Sequence, residues 1–79
     1  MPVVRMSVPA GALSAAQKSE LITRITDVVV DVEGIEELRP MVHVLIDEIA
    51  DGGWGTGGRA WTLAALAEAF GTKRDNTAS

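Results

Sequence analysis

The feature that most limits the fold of this chain is a change of hydrophobic period, from two to 3.6 and back to two, between Val3 and Asp47. Over residues 3–8, Val4, Met6 and Val8 alternate with Val3, Arg5 and Ser7, which predicts a strand. Pro9-Ala10-Gly11 breaks it. Ser14 then stands three residues before Gln17, the spacing of a helix capping box. Behind it Leu21, Ile22, Ile25, Val28, Val29 and Val32 recur at three- and four-residue steps. This predicts an amphipathic helix of about five turns, with the β-branched run Val28–Val30 as its weakest part and Gly34 as its end. A second strand follows over Met41–Ile46, where Val42, Val44 and Ile46 alternate with Met41, His43 and Leu45. A strand–helix–strand unit with so long a connection predicts parallel strands and a right-handed crossover. Parallel register sets the two strand starts side by side, placing Pro2 close to the segment Arg39–His43.

The glycine-rich run Gly52-Gly53-Trp54-Gly55-Thr56-Gly57-Gly58-Arg59 lacks the GxxxxGK[ST] pattern of a phosphate loop. It predicts a tight hairpin or bulged arm, with Trp54 as its bulky side chain. Thr62 is placed to cap a short helix through Leu63, Leu66 and Phe70. A polar tail then covers 72–79, leaving one domain over 1–71. No internal repeat is visible.

Composition narrows the function. A chain of 79 residues is one small domain. At this size folding hides only about 60% of the unfolded surface, so extra stabilisation is needed. The absence of cysteine excludes disulfide staples and thiolate metal sites, and a single histidine without an acidic cluster argues against a metal. With 47% hydrophobic residues, oligomerisation is the remaining route to burial. Seven basic against eleven acidic residues give a net charge of −4, which argues against a nucleic-acid partner. No apolar run approaches the roughly 20 residues of a membrane span, and no signal-peptide pattern precedes the first strand. The expectation is a soluble cytoplasmic homo-oligomer, dimer or hexamer, without cofactor, metal, membrane or nucleic acid.

Pro2 has two readings: a favoured second residue compatible with many soluble proteins, which is the better one on this feature alone, or a source of chemistry. Removal of Met1 leaves a secondary amine whose position is set by the strand it opens and whose ring limits φ. Partial burial lowers the pKa of such an amine, leaving it neutral and able to take a proton or attack a carbonyl.

Taken together, Pro2 opening a strand, the Ser14-x-x-Gln17-Lys18 helix start, the strand Met41–Asp47 ending in Asp47-Glu48, and the block Trp54-Gly55-Thr56-Gly57-Gly58 resemble the 4-oxalocrotonate tautomerase family. The resemblance covers roughly residues 2–66. It implies a βαβ protomer in a dimer or trimer of dimers, with each site built from more than one chain. It also implies that Pro2 is the general base of a keto–enol tautomerisation of a small 2-oxo or dienol acid, without a cofactor. Trp54 matches the aromatic of the glycine-rich block, whose apolar wall helps lower the proline pKa. The family's two carboxylate-binding arginine positions hold Ala12 and His43 here.

Arg39, four residues before His43, is the candidate to supply the missing cation, with Arg5 or Arg59 of a neighbouring subunit as alternatives. Each residue also has a simpler reading. Arg39 balances Glu36 and Glu37, and its place before Pro40 favours extended backbone. His43 is either a satisfied structural residue or a group that orients a substrate carbonyl or shares charge near Pro2. Trp54 is an anchor between subunits as well as a site wall, and Trp61 and Phe70 are core or interface. Two other functions stay open. One is a hydratase or dehalogenase of unsaturated acids that uses Pro2 as an acid. The other is a non-catalytic oligomeric binding module of the same fold.

Overall fold

A computed structural model of the protein describes residues 1–71; the tail expected over 72–79 lies outside them. The chain forms two compact units, one of Met1–Val8 with Leu13–Asp47, the other of Pro9–Ala12 with the chain from Glu48 onward.

In the first unit, β1 (Val3–Pro9) and β2 (His43–Ile49) pair in parallel, with helix α1 (Ala15–Glu33) between them in sequence. The predicted alternation is present in both strands. Val4, Met6, Val8, Val44 and Ile46 are half-buried, while Val3, Arg5, Ser7, His43 and Leu45 are exposed. The capping box of α1 is complete: Ser14 Oγ accepts from the Gln17 N–H at 3.1 Å, and Gln17 Oε1 accepts from the Ser14 N–H at 2.8 Å. Gly34 ends the helix in the left-handed conformation, φ 76°, with its N–H on the Val30 carbonyl. Thr23 and Thr26 return their hydroxyls to the carbonyls of Ser19 and Ile22, which satisfies them inside the helix.

The apolar stripe of α1 is narrower than its sequence predicts. Leu21, Ile25 and Val29 are half-buried and Val30 is buried at 4% exposure, whereas Val28 and Val32 keep 61% and 80%. Leu21, Ile25 and Val29 follow a strict four-residue row, and Val28 and Val32 lie one residue off it, on the side turned to solvent. The run Val28–Val30, the weakest part of the helix by propensity, thus holds its best-buried side chain.

The second strand begins later than expected. Glu36–Met41 form a 3₁₀ helix, and β2 starts at His43 rather than Met41. The extended conformation expected at Arg39 is likewise replaced. Short i→i+3 bonds hold the turn, from the Leu38 N–H to the Ile35 carbonyl and from the Val42 N–H to the Arg39 carbonyl, so the missing N–H of Pro40 breaks nothing.

In the second unit the Ala10 N–H donates to the Ile49 carbonyl at 2.8 Å. Strands β3 (Trp54–Thr56) and β4 (Arg59–Trp61) form an antiparallel hairpin that pairs Trp54 with Trp61 and Thr56 with Arg59. Gly57 and Gly58 supply the two-residue turn at φ 57° and 84°, the pair of positive values that suits a right-twisted hairpin. Thr62 caps α2 (Leu63–Leu66) by accepting from the Ala65 N–H, as its sequence predicts, and a π-helical turn Ala67–Gly71 follows. Phe70 on that turn is 62% exposed.

Candidate functional site

Pro2 immediately precedes β1 and is half-buried. Its carbonyl accepts the main-chain N–H of His43 at 3.0 Å. The two strand starts therefore lie side by side, as parallel register requires. The backbone tie fixes Pro2 relative to the first residue of β2, and the His43 ring is exposed.

Arg39 is close to His43 in sequence, but its side chain is engaged elsewhere. Its Nε donates to Glu36 Oε1 at 2.8 Å and another guanidinium nitrogen donates to Asp27 Oδ1 of α1 at 2.7 Å. The hydrogen bond to Glu36, then that to Asp27, raises the Arg39 pKa above the ordinary guanidinium range, so the charge is permanent. A concavity of about 390 Å³ beside it is lined by Asp27, Val28, Val30, Asp31, Glu36 and Arg39. Those residues set three carboxylates against one guanidinium, a field that repels a further anion. Of the two readings of Arg39, charge balance is the one its contacts describe, with Asp27 in the place expected for Glu37.

Arg5 is also paired. Its Nε and a terminal nitrogen donate to the two oxygens of Asp47 on β2 at 3.3 and 3.1 Å, and this hydrogen-bonded contact raises the Arg5 pKa. Arg24 is paired with Glu20 one turn back on α1.

The hairpin gathers the aromatic chemistry. Trp54 and Trp61 are a paired, half-buried couple at its open end. The Trp61 Nε1–H donates to Thr56 Oγ1 at 2.6 Å, fixing the indole. The Arg59 guanidinium lies 4.0 Å from the centre of the Trp61 ring, a cation–π stack. Asp51, the nearest acid in sequence, accepts from the Leu63 N–H at 2.6 Å and so caps α2.

Two of these relationships escape a reading of sequence alone. The Arg39–Asp27 pair joins residues in different elements, and no local spacing announces it. The Arg59–Trp61 stack has a local signal, because residues two apart on a strand share a side. Reading Trp61 only as core or interface passes over it.

Among the described residues, no group of three or more His, Asp or Glu is arranged to hold a metal ion. No described helix is long and apolar enough to cross a membrane.

Comparison with known proteins agrees with this geometry. Residues 2–64 match the Tautomerase family, described as tautomerase enzyme, and the chain belongs to that family. Among solved structures it is similar to the crystal structure of DmpI from Helicobacter pylori. The identity is 25%, with 75% of this chain and 90% of that chain covered and a TM-score of 0.56. No curated protein matches the chain. Family and fold together support a tautomerase-superfamily activity of the isomerase type.

Proposed function

We propose that the protein is a tautomerase that moves a proton between the enol and keto forms of a small 2-oxo or dienol carboxylic acid, with Pro2 as general base. The observation that carries this reading is the tie between Pro2 and His43, at the first residue of the family match. It holds the proline beside the first residue of β2, so its nitrogen acts from a defined position once Met1 has been removed. In the ketonisation direction the neutral Pro2 nitrogen takes the enol hydroxyl proton. The O–H bond breaks, C=O forms as C=C becomes C–C, and the proton returns to the adjacent carbon. No electrons are exchanged with a second group, so the step is redox-neutral and draws on no cofactor.

His43 adjoins Pro2 through its main-chain N–H, and Trp54 of a neighbouring subunit is the residue proposed to supply an apolar wall that favours the neutral amine. The active form is a homo-oligomer, since Val3, Val28, Val32, Met41 and Leu45 all leave large apolar side chains exposed on a single chain. One modification experiment tests the base. A reactive 2-oxo acid or halopropionate should alkylate Pro2 at one site per chain near neutral pH, read by intact mass and peptide mapping. Slow reaction, seen only at high pH, would assign the fold to a non-catalytic binding module instead.

A further inference from the structure

We propose that Asp27, through its ion pair with Arg39, is a positioning residue for Pro2. It anchors the 3₁₀ turn Glu36–Met41, beyond which the His43 N–H meets the Pro2 carbonyl. The link to catalysis rests on the tautomerase reading above, whereas the link to the backbone tie does not. Asp27, Arg39, His43 and Pro2 all belong to the first unit.

Arg39 reaches in two directions. Its guanidinium donates to Asp27 on α1 at 2.7 Å and to Glu36 at 2.8 Å. Its carbonyl accepts the Val42 N–H at 3.2 Å, and the next N–H along the chain, that of His43, donates to the Pro2 carbonyl at 3.0 Å. Pro40 lies between them with its φ fixed by its ring, so little slack separates the anchored residue from the tie. One carboxylate on α1 thus holds the turn against which Pro2 is registered.

A single exposed ion pair is worth little, and both pairs of Arg39 are exposed. Two features give this one weight. The guanidinium is shared between two carboxylates, a network rather than an isolated contact. Packing does not replace it: no side chain of Glu36–Met41 is buried, and the concavity of about 390 Å³ lined by Asp27, Val30, Glu36 and Arg39 leaves open space between the turn and α1. The tie itself sits at the end of the sheet, where backbone bonds open with free energies near zero. An equilibrium so close to balance converts a few-fold change in anchoring into a comparable change in the fraction of Pro2 held in place.

The test is a graded series in the full-length, Met1-processed protein: Asp27→Glu keeps the pair, Asp27→Asn removes it, and Asp27→Lys sets two cations face to face. Asp31→Asn is the control, since Asp31 lines the same concavity one turn on but is not among the partners of Arg39. Amide exchange at His43 is read by NMR, with the Val30 amide of α1 as internal reference, and turnover is read as ketonisation of the enol of phenylpyruvate. Asp27→Glu should stay closest to wild type. In Asp27→Asn the His43 amide should exchange about two- to threefold faster and kcat should fall by a similar factor, with KM within about twofold. Asp27→Lys should exceed it in both, and Asp31→Asn should change neither. Unchanged His43 exchange across the Asp27 series overturns the proposal. So does an equal change in Asp31→Asn, because charge in the concavity is then the cause, or an equal change at Val30, because the whole unit has then loosened. Faster His43 exchange with kcat unchanged overturns the positioning role. Alkylation of Pro2 in wild type reports separately on the base. An inert Pro2 with Asp27-dependent exchange sinks the base and leaves the anchor, and a reactive Pro2 with exchange indifferent to Asp27 sinks only the anchor.

Discussion

His43 is joined to Pro2 through the backbone rather than through its ring: its main-chain N–H donates to the Pro2 carbonyl at 3.0 Å while the imidazole stays exposed. Position and charge are therefore separable at this residue. His43→Ala keeps the donor and removes only the exposed ring, so kcat/KM should stay near wild type. His43→Pro removes the donor itself, and kcat/KM should fall at least about tenfold at every pH. A loss in His43→Ala as large as that in His43→Pro would mean that the ring, and not the backbone tie, carries the effect.

Pro2→Ala leaves a terminal amine after methionine removal, but a primary and more mobile one. General base catalysis by one positioned group contributes about 10²–10⁴-fold, and a loss in that range is expected with arylpyruvate enols or 2-hydroxydienoates. Intact mass of each preparation must first show that Met1 is absent, because an acylated Pro2 nitrogen is not basic. An unchanged rate in the processed variant would remove Pro2 from the mechanism.

Arg39→Ala should act on stability and not on substrate. It breaks the exposed pairs with Asp27 and Glu36, which tie α1 to the 3₁₀ turn, so melting temperature should drop slightly. The difference from wild type should shrink in 1 M salt, where the Debye length is only about 3 Å. KM for an acid substrate should stay within about twofold of wild type, as expected for a residue outside the binding contacts. A large rise in KM would return the substrate cation to Arg39.

Val30 and Val32 discriminate burial within one chain from burial between chains. Val30→Ala removes two methyl groups from a site 4% exposed and should cost about 1.5–3 kcal/mol in denaturant unfolding. Val32 is 80% exposed on a single chain, so Val32→Ala should cost less than about 0.5 kcal/mol if the chain acts alone. In the proposed oligomer the exposed apolar side chains are covered, and sedimentation at micromolar concentration should show a dimer or hexamer. A stable folded monomer with a silent Val32→Ala would contradict that assembly.

Much of the fold was legible in the sequence because it is specified over short distances. Ser14 with Gln17, Gly34 and Thr62 each encode a local hydrogen-bonding or dihedral solution, and each is found where its neighbours predict it; the glycine-rich run predicts a hairpin or bulged arm, and the structure sets its turn at Gly57-Gly58. The start of β2 was not legible. Alternation at Met41 and Val42 continues that of His43–Ile46, so period alone cannot distinguish a strand from a 3₁₀ turn held by the pairing of Arg39 with Asp27 and Glu36.

The same division holds for the site. By itself the sequence determined that a proline opens a strand, that this strand is parallel to a second one, and hence that Pro2 lies close to the segment Arg39–His43, because register follows from chain connectivity and side-chain period; the structure singles out His43. Only the tertiary structure decided which arginines are occupied. A guanidinium's partner is set by which carboxylate or ring lies within about 3–4 Å of it in space. Arg5, Arg39 and Arg59 look alike as letters, and they differ because Asp47 faces the first, Asp27 and Glu36 hold the second, and an indole underlies the third.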